Sequence, residues 1–349
     1  MKAVVYQGNN QIALEERPIP RIRDERDAII RVTLTTICSS DIHIKHGAVP
    51  NARPGVILGH EFVGEVVRTG SAVKKVRPGD RVAVNVETFC GECFFCRRGF
   101  VNNCTDPLGG WSLGCRIDGG QAEYARIPHA DHGLTKIPDS VTDEQALFNG
   151  DLLSTGYWAA NIGEIRAGDT VAVIGAGPTG LCTMLCARLF SPARIIAVDT
   201  DAYRLKLARE QGLADVTFMP GQDDAAAQIR AMTEGRGADV VFEVAGGRDT
   251  FQTAWQIARP NAVVVLVAMY EEPQILPLPE MYGKNLIFKT GGVDGCFCEE
   301  IMDLTARGKL DTGFLITHRC RLDQILTAYE IFEQKKDHVI KYACFPNGS

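Results

Sequence analysis

Residues 170–180 read Thr-Val-Ala-Val-Ile-Gly-Ala-Gly-Pro-Thr-Gly, an apolar strand that runs straight into a glycine turn. A helical stretch follows to about residue 190, then a second strand at 193–199 and a helix over about 202–211. Further strands read at 238–244, 262–267 and 285–289. Strands that alternate with helices imply right-handed crossovers, and so a doubly wound parallel sheet of the α/β class.

The glycine turn carries a function as well as a fold. Gly175 permits the tight turn, Gly177 lets backbone approach a pyrophosphate, and Gly180 lets helix and strand pack closely. Pro178 and Thr179 complete the turn, and the helix amino terminus that follows faces the phosphates. Asp199 closes the next strand 24 residues after Gly175. An acid at that place hydrogen-bonds the adenosine ribose and repels a 2′-phosphate, which favours NAD over NADP. Asp201 adds a second negative charge, and the next base, Arg204, lies one helical turn on. The plain alternative for Asp199 is a helix N-cap.

The first 150 residues differ. Short apolar runs at 28–34 and 63–67 alternate with turns such as 77–80, which suggests a barrel-like or sandwich-like unit. Within it stand Cys90, Cys93, Cys96 and Cys104, four of the chain's twelve cysteines. Such short spacings let one loop wrap a tetrahedral zinc, and four thiolates leave no position for substrate. A site of that kind stabilises a lobe and does no chemistry. An iron–sulfur cluster or four unrelated thiols are the alternatives. Cys115, Cys182, Cys186, Cys296, Cys298, Cys320 and Cys344 are scattered and read as small core residues.

Composition excludes several roles. Net charge is −6 with no basic block, so nucleic acid and anionic membrane surfaces are poor partners. The amino terminus lacks the apolar run of a signal peptide, and no stretch approaches the roughly 18 apolar residues of a spanning helix. The expected place is the cytoplasm.

Two further motifs lie some twenty residues apart, Cys38-Ser-Ser-Asp41-Ile-His43 and Gly59-His60-Glu61. A catalytic zinc takes about three protein ligands and keeps one position open. Cys38 and His60 supply a thiolate and an imidazole, and a third ligand could come from an acid such as Asp151. Spacing alone does not select Asp151, because an Asp before an apolar run is often a helix cap.

The pattern Gly59-His60-Glu61-x2-Gly64-x5-Gly70-x2-Val73 resembles the zinc signature of medium-chain zinc alcohol dehydrogenases. The likeness covers nearly the whole chain, since the four-cysteine lobe and the nucleotide fold follow in that family's order. The resemblance implies a GroES-like catalytic domain over 1–153 with a structural zinc lobe at 88–106. A Rossmann NAD domain follows over 154–293, and 294–349 returns to the catalytic domain. It further implies that Cys38, His60 and Asp151 bind catalytic zinc, that Glu61 is the acid able to enter the zinc shell, and that Asp41 orients His60. Ser40 resembles the family's proton-relay hydroxyl and His43 its outer base; otherwise they would be a turn serine and a surface histidine. Trp111 resembles an aromatic wall of the substrate pocket in bacterial secondary-alcohol dehydrogenases. Many of those enzymes lack the four-cysteine lobe and use NADP, and Asp294 falls where they place apolar pocket residues. The expectation is therefore an NAD enzyme with two zinc ions per chain, a homotetramer or homodimer, acting on a small secondary alcohol or its ketone. A polyol or hydroxysteroid substrate is the alternative. A zinc-free reductase of the same superfamily and a non-catalytic binding protein are the rival readings.

Overall fold

The computed structural model describes residues 1–347. The chain forms two units, one from residues 1–154 together with 294 onward, the other from 155–293.

The second unit is built on six parallel strands in the order Val216–Phe218, Arg194–Val198, Thr170–Ile174, Ala238–Glu243, Ala258–Leu266, Ile287–Thr290. All five residues of Thr170–Ile174 are buried, as a strand covered on both faces requires. Helices supply the cover through apolar stripes such as Phe251, Ala254, Trp255 and Ile257. Strand order reverses at Thr170–Ile174, whose neighbours are the strands that follow it in opposite directions across the sheet. The carboxyl ends of strands at such a switch point are where α/β sheets bind ligands. Gly175 sits there with φ +101°, and a Cβ on Gly180 would stand 1.8 Å from the Gly175 carbonyl oxygen. Pro178 opens the helix Pro178–Ala187, where its missing N–H costs nothing.

The first unit carries a seven-stranded sheet centred on Ala28–Thr35, which pairs antiparallel with Phe62–Thr69 and with Tyr124–Ile127. Arg81–Val84 and Leu134–Lys136 extend it on one side. On the other side lies Lys341–Phe345, with Ile316–Arg321 parallel to it beyond. The strand Lys341–Phe345 thus lies beside one of the chain's earliest strands. Ile30, Val32, Phe62, Val66, Val82 and Ile127 fill one core of this unit. Each contributes roughly 1.5–3 kcal/mol by leaving water. A short antiparallel pair, Glu87–Thr88 with Gly110–Trp111, lies outside this sheet.

Candidate functional site

Four sulfurs converge in the loop after Glu87–Thr88. Cys93 Sγ stands 3.4 Å from Cys96 Sγ, Cys90 Sγ lies 3.6 Å from Cys104 Sγ, and Cys90 and Cys96 are 4.0 Å apart. Tetrahedral zinc with bonds near 2.3 Å needs sulfurs about 3.8 Å apart, so the spacing fits the ion. Backbone N–H groups of Cys90 and Asp106 donate to Cys104 Sγ, and that of Cys96 to Cys93 Sγ. Such donors favour thiolates; together with the Thr105 N–H, that of Cys96 draws Cys93 down to about 5.

A second cluster has different chemistry. One donor atom each from Cys38, His60, Glu61 and Asp151 lies within 4.8 Å of the others. Cys38 precedes the helix Ser39–Lys45, and its N–H donates to Asp41 Oδ2 at 2.9 Å. His60 and Glu61 precede Phe62–Thr69 and are both 2% exposed. Asp151 rides on a π-helical turn, Asn149–Leu153, a form that recurs at functional sites. That turn presses so closely on Arg81–Val84 that a Cβ on Gly150 would meet the Val84 carbonyl oxygen at 1.7 Å. Only glycine fits, which holds Asp151 in place.

Charge in this cluster is organised around its donors. His60 Nε2 lies 3.3 Å from Asp151 Oδ2, and its Nδ1 lies 3.3 Å from Asp41 Oδ1. The latter pair is close in distance, yet both atoms lack a partner of good hydrogen-bond geometry among the described residues. Burial opposes protonation of His60, but Asp41 and Asp151 outweigh it and hold its pKa well above the ordinary value. Asp41 Oδ2 also accepts from Gln121 Nε2 at 3.1 Å, and Gln121 Oε1 accepts from the buried Tyr329 hydroxyl at 2.8 Å. Glu61 Oε2 pairs with the Lys341 ammonium, which donates also to the Ile37 carbonyl at 3.1 Å. Burial raises the Glu61 carboxyl, and Lys341 partly offsets that. Burial would lower Lys341, but the Cys38 and Glu61 charges prevail and keep it above its usual range. Glu61 Oε1 has no partner among the described residues. An orphaned carboxylate oxygen beside a thiol, an imidazole and a second carboxylate suits a divalent cation such as zinc.

Around this cluster, Ser40 Oγ lies 3.8 Å from Cys38 Sγ, and His43 follows three residues on along the same helix face. The Trp111 ring stands edge-on to His60, 5.4 Å between centroids, and its N–H donates to the Leu113 carbonyl. Asp294 Oδ1 accepts the Asn102 N–H at 3.1 Å.

At the glycine turn of the other unit, Asp199 Oδ2 accepts the Ala176 N–H at 2.6 Å and Oδ1 accepts that of Asp201 at 2.8 Å. The helix cap is Asp201, whose carboxylate takes the Tyr203 and Arg204 N–H groups. The Arg204 guanidinium reaches back to the turn: Nη1 would stand 3.4 Å from a Cβ on Gly177, and Nε lies 3.7 Å from Asp201 Oδ2.

Residues 24–139 match the alcohol dehydrogenase GroES-like domain and residues 178–307 the zinc-binding dehydrogenase domain. A zinc-type alcohol dehydrogenase B of Aspergillus flavus is 36% identical over 96% of this chain and 79% of its own. The chain belongs to the medium-chain zinc alcohol dehydrogenases. Another member, the NADP-dependent isopropanol dehydrogenase of Thermoanaerobacter brockii, is 33% identical over 94% of each chain. Among solved structures, a zinc-dependent alcohol dehydrogenase 2 from Streptococcus pneumonia superposes with a TM-score of 0.94, at 35% identity over 100% of this chain and 99% of that one. The two units are thus the GroES-like and Rossmann-like halves of a zinc alcohol dehydrogenase. No helix among the described residues is long and apolar enough to cross a membrane.

Sequence reasoning missed Lys341, Gln121 and Tyr329. Lys341 lies 280 residues from Glu61 and opens the strand Lys341–Phe345; a lysine at the head of that otherwise apolar run is the one local signal of its burial.

Proposed function

We propose that this zinc alcohol dehydrogenase interconverts a secondary alcohol and its ketone with NAD, using two zinc ions per chain. Cys38, His60 and Asp151 would hold the catalytic ion, and Cys90, Cys93, Cys96 and Cys104 the structural one. The same reading makes the enzyme a cytoplasmic homotetramer or homodimer acting on a small-molecule substrate.

The observation that carries it is the convergence of Cys38, His60, Glu61 and Asp151, with Glu61 Oε1 unpartnered among the described residues. Zinc held there would supply a Lewis acid for the alcohol oxygen, and NAD bound at the glycine turn would supply the hydride acceptor. Asp41 Oδ1, 3.3 Å from His60 Nδ1, is placed to orient the ring so that Nε2 faces the other donors. Lys341 pairs with Glu61 and offsets part of the penalty for burying its carboxylate. Ser40 Oγ, beside Cys38, would take the substrate hydroxyl proton as it gives up its own toward His43, which would release that proton to water.

The preference for NAD rests on Asp199. Its oxygens already take two backbone N–H groups, yet each keeps a lone pair for a ribose hydroxyl. A 2′-phosphate would meet the charges of Asp199 and Asp201. Arg204 is the opposing feature, as it stands at the turn, but Asp201 draws on its charge.

The test is metal content on chelator-free protein, followed by NAD and NADP reduction at alkaline pH with secondary alcohols, polyols and steroid alcohols. About two zinc ions per chain and NAD-dependent turnover are expected. One zinc and no turnover would break the catalytic assignment, and faster turnover with NADP would overturn the cofactor choice.

A further inference from the structure

Glu87 lies outside the metal cluster, yet it is 2% exposed and its Oε2 has no hydrogen-bond partner among the described residues. A buried carboxyl left in this state destabilises the fold unless something answers it. No described residue answers Oε2 with a hydrogen bond. Arg116, whose charge acts on Glu87, donates instead to the carbonyls of Pro107 and Gly109 and to Ser112 Oγ. Burial, and then the charges of Asp151 and Asp294, push the Glu87 carboxyl up to about 8, with Arg116 offsetting only part.

Three backbone and side-chain links fix where Glu87 stands. Its Cα partner across the short strand pair is Trp111, so both side chains lie on one face. The Trp111 ring is the one edge-on to His60. The Val86 N–H donates to the Gly150 carbonyl at 3.1 Å, next to Asp151. Asn85 accepts the Glu87 N–H and donates to the Gly295 carbonyl, next to Asp294. Glu87 is therefore held between the Asp151 turn and the Asp294 turn, one side chain away from His60.

We propose that Glu87 recognises substrate at the Cys38–His60–Asp151 site and selects a vicinal diol, its Oε2 accepting a hydrogen bond from the hydroxyl next to the carbinol carbon. This rests on the dehydrogenase reading above and narrows it to a substrate class. A carboxyl oxygen accepts from a hydroxyl whether or not the group is ionised, so the contact survives a change of protonation. A simple secondary alcohol would leave the carboxyl buried and unanswered, which is how polar sites reject analogues that lack the matching group.

Three probes share one carbinol and differ only beside it: 2-propanol, propane-1,2-diol and 1-amino-2-propanol. Their kcat/KM values with the zinc-loaded enzyme and NAD(P) are compared for wild type, Glu87→Gln and Glu87→Leu. Wild type is expected to favour the diol over 2-propanol by roughly tenfold or more. Glu87→Leu lowers that ratio about tenfold, while Glu87→Gln, which keeps an acceptor oxygen, holds it within about threefold. A ratio that Glu87→Leu leaves unmoved, with 2-propanol still oxidised, overturns the role of Glu87 and leaves the dehydrogenase reading standing. Preference for the amino alcohol that Glu87→Leu abolishes replaces the diol by a cation. No turnover of any probe by fully metallated wild type removes the dehydrogenase reading, and the diol with it.

Discussion

The two metal-ligand clusters differ in every respect that matters to a bound ion. The four-cysteine lobe gathers like donors from one loop of fifteen residues, all partly exposed, with backbone N–H groups as its supporting partners. The Cys38 cluster gathers a thiol, an imidazole and two carboxylates from three separate stretches of chain. It is backed by buried charge: Asp41 behind His60 and Lys341 behind Glu61. A closed set of thiolates stabilises structure, whereas a mixed set with an extra carboxylate leaves coordination adjustable. On the proposed reading, the lobe's donor set suits holding an ion and the cluster's suits using one.

Breaking that contrast calls for one variant in each cluster. His60→Ala should lose one zinc equivalent and roughly a thousandfold in kcat/KM, since the lost Lewis acid supplies several kcal/mol. The lobe zinc should remain. Cys93→Ala should lose the other equivalent, lower the melting temperature and expose 88–106 to proteolysis, because structural zinc binding is folding free energy. Assayed below its reduced melting temperature, Cys93→Ala should keep activity within about tenfold, set against the loss from the catalytic site. Metal analysis, melting curves and kinetics on both variants give the answer. The reverse pattern would exchange the two roles.

How much of this could be read from the residues follows from the same contrast. Cys90, Cys93, Cys96 and Cys104 lie close enough for their spacing to state a geometry, and Gly175, Gly177 and Gly180 follow a strand that forces the turn. Strand alternation with helices gave the parallel sheet for the same local reason. Asp151 is one candidate acid in the sequence and is selected only through family likeness, because its approach to His60 depends on a π-turn packed on Arg81–Val84, which no local period encodes. Lys341 and Tyr329 arrive from the chain's return, where long-range pairing alone brings them to Glu61 and Gln121. Glu87 went unnoticed though it stands three residues before Cys90, because a lone acid carries no sign of burial.

Lys341 sharpens the contrast further, since the lobe is supported by backbone donors rather than a buried cation. Lys341→Met removes the cation and leaves Glu61 buried and unpaired, a change that costs about 3–5 kcal/mol. The loss should appear in the melting of metal-free protein and shrink when zinc is added, because the ion can then take up the carboxylate. Equal losses with and without zinc would mean that Lys341 and Glu61 form a structural pair only.

The smallest effect concerns how the helix that follows Cys38 is fastened. Glu333, on the helix Ile325–Glu333, accepts from Lys45 at 2.6 Å and contacts His46 at 2.5 Å, at the end of Ser39–Lys45. Lys45 chiefly, with His46, holds the Glu333 carboxyl below its ordinary value of 4.5. A carboxyl lowered by folding adds stability that is full above about pH 4.5 and fades as pH falls through its folded value. Glu333→Gln should therefore cost up to about 1 kcal/mol near pH 7, as for partly exposed pairs, and that cost should vanish in acid. Denaturant melts of both proteins across that range measure it. A difference that persists at the acid end would show that Glu333 acts through packing rather than through its charge.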